Sequence, residues 1–163
     1  MHGQVFLNDF LADRLDPVAF DHQAHVRAAW LLLSSRSFET ALLDYIEAIK
    51  KLAYRAGAPD KLHYTITAAL MSLIASSQAE NPVQSWDEFL ARGGPLITDA
   101  FGLLQKHYSR ELLYSERAKT SWLKPDRLPL PARTAQINDR QKQSDKLSPV
   151  EIATMVPSAV AKR

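Results

Sequence analysis

Apolar side chains recur along the chain with the spacing of amphipathic helices. Between residues 37 and 57 they fall every three or four positions, and charged residues occupy the opposite face. Residues 21–34 and 60–79 repeat this pattern, and Asp21 and Asp60 stand where helix N-caps are expected. The first half of the chain therefore predicts three long helices.

Shorter helices are predicted further along. The capping box at Ser85–Glu88 begins a helix that reaches about residue 92, and Pro95 opens another that reaches about His107. Serine caps predict two brief helices over 110–113 and 116–123. No segment shows sustained period-two alternation. The expected fold class is all-α: a single-domain, orthogonal or bundle-like array of about five to seven helices.

Two regions are expected along the chain. Residues 1–131 form the helical domain, which ends in a proline-rich, extended strap over 125–131. Residues 132–163 are polar, with six basic and three acidic side chains, a net charge of +3. We expect a basic, poorly ordered C-terminal tail with one candidate short helix after Ser148.

Composition narrows the chemistry. The chain has no cysteine, which excludes disulfides, iron–sulfur clusters and thiolate zinc sites. Its net charge of +2 is too balanced for a nucleic-acid surface, and nucleic acid is not an expected partner. The N-terminus lacks the pattern of a secretory leader, and no apolar run approaches the length of a membrane span. A cytoplasmic protein without membrane contact is expected.

Three histidines are the strongest candidates for functional residues in the sequence. His22 and His25 share one face at the start of the first long helix, although chance alone yields such spacing at an expectation of about 0.15 pairs. His63 lies at the start of another helix, on the stripe of Ile66 and Leu70 that faces the core. Positive helix ends and burial both favour neutral imidazoles.

Neutral imidazoles suit two kinds of site. His22, His25 and His63 could ligate one divalent metal, with Zn, Fe, Ni and Mn not distinguishable, and leave a position open for substrate. They could instead act without metal as general acids or bases. Arg27 is a candidate anchor for an anionic substrate group. The leading hypothesis is a metal- or His-dependent small-molecule enzyme of hydrolase or lyase type.

The alternative is a non-enzymatic helical interaction module. In that case the histidines are structural, and the C-terminal tail mediates a protein partner or a homo-oligomer. Catalytic templates with stronger signatures do not occur in the sequence: HExxH, Glu-x-x-His pairs, phosphate-binding glycine loops and the Gly-x-Ser-x-Gly elbow.

Three segments together resemble a family of bacterial all-helical proteins to which no activity is attached. They are FDHQAHVRAAW from Phe20, HYTIT from His63 and PDRLPLP from Pro125, and the resemblance covers roughly residues 20–131. It implies that the three histidines and the closing strap belong to one fold. In that family the residue after the third histidine is often Glu. Tyr64 stands there in this chain, which puts a family activity based on that Glu in doubt.

Overall fold

The computed structural model describes residues 2–131, and all regular structure in that range is helical. This confirms the all-α array predicted from the sequence. The predicted tail, residues 132–163, lies outside the described residues. The α-helices within the described range are α1 (Gly3–Leu11), α2 (His22–Ser35), α3 (Phe38–Arg55), α4 (Tyr64–Glu80), α5 (Trp86–Arg92), α6 (Pro95–Thr98), α7 (Ala100–Gln105), α8 (Arg110–Leu113) and α9 (Glu116–Thr120).

The core lies where α2, α3 and α4 pack against one another. The predicted stripes face inward, with Leu32, Ile46 and Ile74 at most 2% exposed. Trp30 of α2 packs beside Trp86. The other helices contribute further apolar side chains around this core. Among the described residues, no helix combines the length and apolar character needed to cross a membrane.

Nine described helices exceed the predicted five to seven for two local reasons. Helix α1 was not predicted, because its sequence has no side-chain cap and begins at a glycine; it buries Phe6, Leu7 and Phe10 instead. The helix expected over 95–107 is broken at Asp99, whose backbone leaves the helical region and whose carboxylate caps α7.

The cap predicted at Asp60 is wrong. Residues 59–61 form a single 3-10 turn, Leu62 is extended, and α4 begins only at Tyr64. His63 is the N-cap, because its own side chain accepts a hydrogen bond from the Ile66 amide. One of the three candidate histidines therefore also starts a helix.

The proline-rich strap lies against the end of α7. The Arg127 amide donates to the His107 carbonyl at 2.9 Å, and Asp126 accepts hydrogen bonds from the Ser109 amide and hydroxyl. The Nδ1 of His107 lies 3.1 Å from the carbonyl oxygens of both Leu128 and Pro129. This histidine holds the strap.

Candidate functional site

A cavity of about 510 Å³ opens between the starts of α2 and α4 and the second half of α3. That volume is in the range of pockets that enclose small molecules. Its wall is mostly aliphatic and aromatic, and buried side chains such as Val26, Met71 and Ile74 contribute to it. The polar side chains in the wall are His22, His25, Tyr45, Lys61, His63 and Thr67.

His22 is the first residue of α2 and is held by its ring. Asp21 caps the helix by accepting a hydrogen bond from the Ala24 amide at 2.9 Å. The His22 Nε2 lies 2.8 Å from the Leu96 carbonyl oxygen. Because a carbonyl can only accept, Nε2 carries a proton, and whenever the ring is neutral its lone pair is on Nδ1. His22 is exposed, so this lone pair belongs to a solvent-accessible part of the wall.

His25 lies one turn further along and pairs with a buried phenol. Its Nδ1 is 2.8 Å from the Tyr45 hydroxyl, and its ring meets the Phe20 ring edge-on with centroids 4.5 Å apart. Burial, and to a smaller extent the nearby His22, lower the pKa of His25 from 6.5 to about 4, and Asp21 partly opposes this change. His25 is therefore neutral at physiological pH.

The phenol fixes which nitrogen of His25 carries the proton. Tyr45 is buried, and burial raises the pKa of its hydroxyl, so the O–H stays protonated and needs an acceptor. Nδ1 of His25 is its acceptor in the described structure. The proton of the neutral imidazole then resides on Nε2, for which the described residues supply no hydrogen-bond partner. His25 is thus a donor available to a molecule in the cavity.

His63 uses both of its ring nitrogens within the protein. Nδ1 accepts from the Ile66 amide at 3.1 Å, and Nε2 lies 2.7 Å from the Leu113 carbonyl oxygen. One bond requires a lone pair and the other a proton, so the ring is neutral and fixed in one tautomer. His63 forms part of the cavity wall but also ties α4 to α8.

The structure brings His22, His25 and His63 to one cavity, as the sequence suggested. Within residues 2–131, however, no three side chains of His, Asp or Glu are grouped as they would be around a metal ion. Shared ligation by all three rings would also require His63 to give up one of its two hydrogen bonds. The divalent-metal hypothesis stays a prediction.

Arg27 is not brought to the cavity wall. Its guanidinium carbon lies 4.7 Å from the centre of the Phe6 ring, on the side of α2 that packs against α1.

The three hydroxyl side chains that follow His63 in sequence lie in different surroundings. Thr67 lines the cavity, Thr65 bonds to the backbone of residues 121 and 123, and the Tyr64 hydroxyl is buried elsewhere. Burial and the charge of Glu47 raise the pKa of Tyr64 to about 12.

Two polar residues of the wall were not singled out in the sequence. Tyr45 falls on the apolar stripe of α3, where its period-3.6 position indicates core packing and gives no sign of a hydroxyl directed at a histidine. Lys61 stands in the 3-10 turn that was expected to be helical. The proximity of Lys61 to His63 in sequence was the available signal.

Comparison of the chain with models of protein families, with curated proteins and with solved structures gives no significant match. The resemblance to the bacterial all-helical family stays a prediction.

Proposed function

We propose that the chain is a metal-free, histidine-dependent enzyme that catalyses proton transfer at a carbon next to a carbonyl group, in a small and largely apolar substrate. The observation that carries this proposal is the difference in available atoms between two adjacent rings. His25 offers an N–H, and His22 offers a lone pair. Together they form an acid–base pair at the edge of an apolar cavity.

His25 supplies the electrophilic half of the pair. A neutral imidazole with a pKa of about 4 is a poor base near neutral pH, so it acts as a hydrogen-bond donor to the substrate carbonyl oxygen. Neutral histidine donors of this kind stabilise the negative charge that develops on an enolate oxygen. Tyr45 holds the required tautomer and is a positioning residue.

His22 supplies the basic half. Its Nδ1 takes the proton from the carbon, the C–H electron pair forms a carbon–carbon double bond, and the carbonyl electrons move to the oxygen that His25 contacts. Return of the proton restores the carbonyl. The bond from Nε2 to Leu96 orients the ring without occupying the basic nitrogen. Isomerases that move a proton along the carbon chain, and lyases that eliminate a group across the bond next to a carbonyl, begin with this step.

The test uses exchange, because it needs no knowledge of the natural substrate. The protein is incubated in heavy water with a panel of apolar ketones, aldehydes and oxo acids, and deuterium uptake beside the carbonyl is followed by proton NMR. His22→Gln keeps a donor for the Leu96 carbonyl but removes the base. We expect it to slow exchange by about 100-fold or more.

The matched control is His2→Gln, because His2 is exposed and its side chain makes no cap bond. Exchange should be unchanged in that variant. No protein-dependent exchange across the panel would contradict the proposal and favour the non-enzymatic alternative. Exchange that is abolished by a chelator and restored by a divalent cation would favour the metal hypothesis instead.

A further inference from the structure

The cavity wall is unbalanced in charge. Among the described residues that form the wall, Lys61 is the one lysine or arginine, and none is Asp or Glu. Among the described residues, Lys61 forms no ion pair with a carboxylate. The acidic residues beside the site in sequence, Asp21 and Asp60, are exposed and are not part of the wall.

The helices add to this imbalance. Helix α2, of 14 residues, and helix α4, of 17 residues, both begin at a residue of the wall or directly after one. Helix starts carry a partial positive charge that favours anions. The C-terminal end of α3 also borders the cavity, and the amides of residues 56–58 bind the carbonyls of residues 52–54 at 2.9–3.0 Å. The starts of α2 and α4 are capped in the same way by Asp21 and His63, so Lys61 is the main source of the imbalance.

We infer that the substrate is an apolar oxo acid: a medium-chain or aromatic molecule whose carbonyl oxygen accepts from His25 and whose carboxylate is attracted by Lys61. The inference rests on the proposed function for the role of His25. The aliphatic wall receives the body of the molecule, and a neutral alcohol or an amine of equal length lacks the charge that the site favours.

The experiment compares head groups on one chain length. Decanoate, decanol and decylamine are titrated into the full-length protein by calorimetry, and α-oxodecanoate is added to the series. We expect decanoate to bind about tenfold more tightly than decanol, since an exposed charge pair and the helix ends each contribute a few-fold. Decylamine should bind most weakly, and added salt should reduce the difference in affinity between decanoate and decanol.

Lys61→Met keeps the length of the side chain and removes its charge. It should weaken decanoate binding about two- to five-fold and leave decanol binding unchanged. The matched control is Lys124→Met, because Lys124 is exposed and is not part of the cavity wall. Decanoate should bind this variant as it binds the original protein.

Equal binding of decanoate and decanol, or tighter binding of decylamine, would overturn the assignment of an anionic substrate. So would a failure of every compound in the series to bind. The proposed proton transfer is judged separately, because the deuterium panel includes neutral ketones. Exchange on neutral ketones alone would retain the proposed function and reject the oxo acid.

Discussion

The two helix starts that border the cavity use the same side chain for different purposes. At the start of α4, both ring nitrogens of His63 form hydrogen bonds with the backbone, one with Ile66 and one with Leu113. At the start of α2, His25 has one hydrogen-bond partner, the Tyr45 hydroxyl, and none of the described residues bonds to its other ring nitrogen. His63 caps α4 and His25 lies in the first turn of α2, so both are near a helix start in the same wall, and their partners decide which ring is available for chemistry.

This difference in hydrogen-bond partners shows that histidines can line the same cavity and still have different roles. A ring that caps a helix and joins two helices stabilises the fold. A ring held in one tautomer by a buried phenol, with a free N–H, is arranged for a ligand. We therefore assign stability to His63 and, under the proposed function, proton transfer to His25 and His22.

Removal of His63 is expected to have the largest effect on stability. His63→Ala removes the N-cap of α4 and leaves the Leu113 carbonyl without its partner. The lost cap costs about 1 kcal/mol, and the orphaned buried acceptor about 1–2 kcal/mol more. Unfolding in urea, followed by circular dichroism, should show a free energy of unfolding lower by about 2–3 kcal/mol.

His63→Asn and His22→Ala are the matched controls for this measurement. Asn is a good N-cap and should recover about 1 kcal/mol of the loss. His22 is exposed, so its truncation should cost less than about 1 kcal/mol. If His22→Ala destabilises the protein as much as His63→Ala, the division of roles between the two helix starts is wrong.

Acid should destabilise the protein through His25, by a somewhat smaller amount. The pKa of His25 is lowered from 6.5 to about 4, chiefly by burial and then by the charge of His22. The unfolded chain therefore binds the proton more readily, and stability falls as the pH drops below 6.5 towards 4. Because His25 is partly exposed, we expect a loss of about 2 kcal/mol between about pH 7.5 and pH 4.5.

The double variant His25→Phe/Tyr45→Phe isolates this effect. It removes both partners of the hydrogen bond, so neither is left buried without one. The free energy of unfolding of this variant should change less between about pH 7.5 and pH 4.5 than that of the original protein. Asp126 contributes little there, because hydrogen bonds from Ser109 hold its pKa below the usual 3.8, so most of its contribution is lost at lower pH than this window. An unchanged acid response in the double variant would contradict the assignment to His25.

Much of the fold could be predicted because its helix caps are local. Ser37, Ser85, Ser109 and Ser115 each cap the helix expected after them. Helix α1 escaped prediction because tertiary burial of its apolar residues, and no cap, defines it. The false cap at Asp60 reflects competition with the His63 side chain, which a sequence pattern does not reveal.

The site was predictable only in part. Helical spacing predicts that His22 and His25 share one face, because they are three residues apart, and both line the cavity. The same geometry separates Arg27 from His25 by about 200° around the helix, which turns it towards α1. The bond from Tyr45 to His25 joins two helices, so no local pattern could indicate it.

The most direct test of the account is nitrogen-15 NMR of the imidazole rings, recorded as a function of pH. At neutral pH we expect the spectra to show Nε2–H tautomers for His22, His25 and His63, and the titration to give a pKa near 4 for His25. Addition of α-oxodecanoate should shift the His25 resonances and leave those of His63 in place. A proton on Nδ1 of His25, or an ordinary pKa near 6.5 for that ring, would contradict the claim that His25 is the donor held for a ligand.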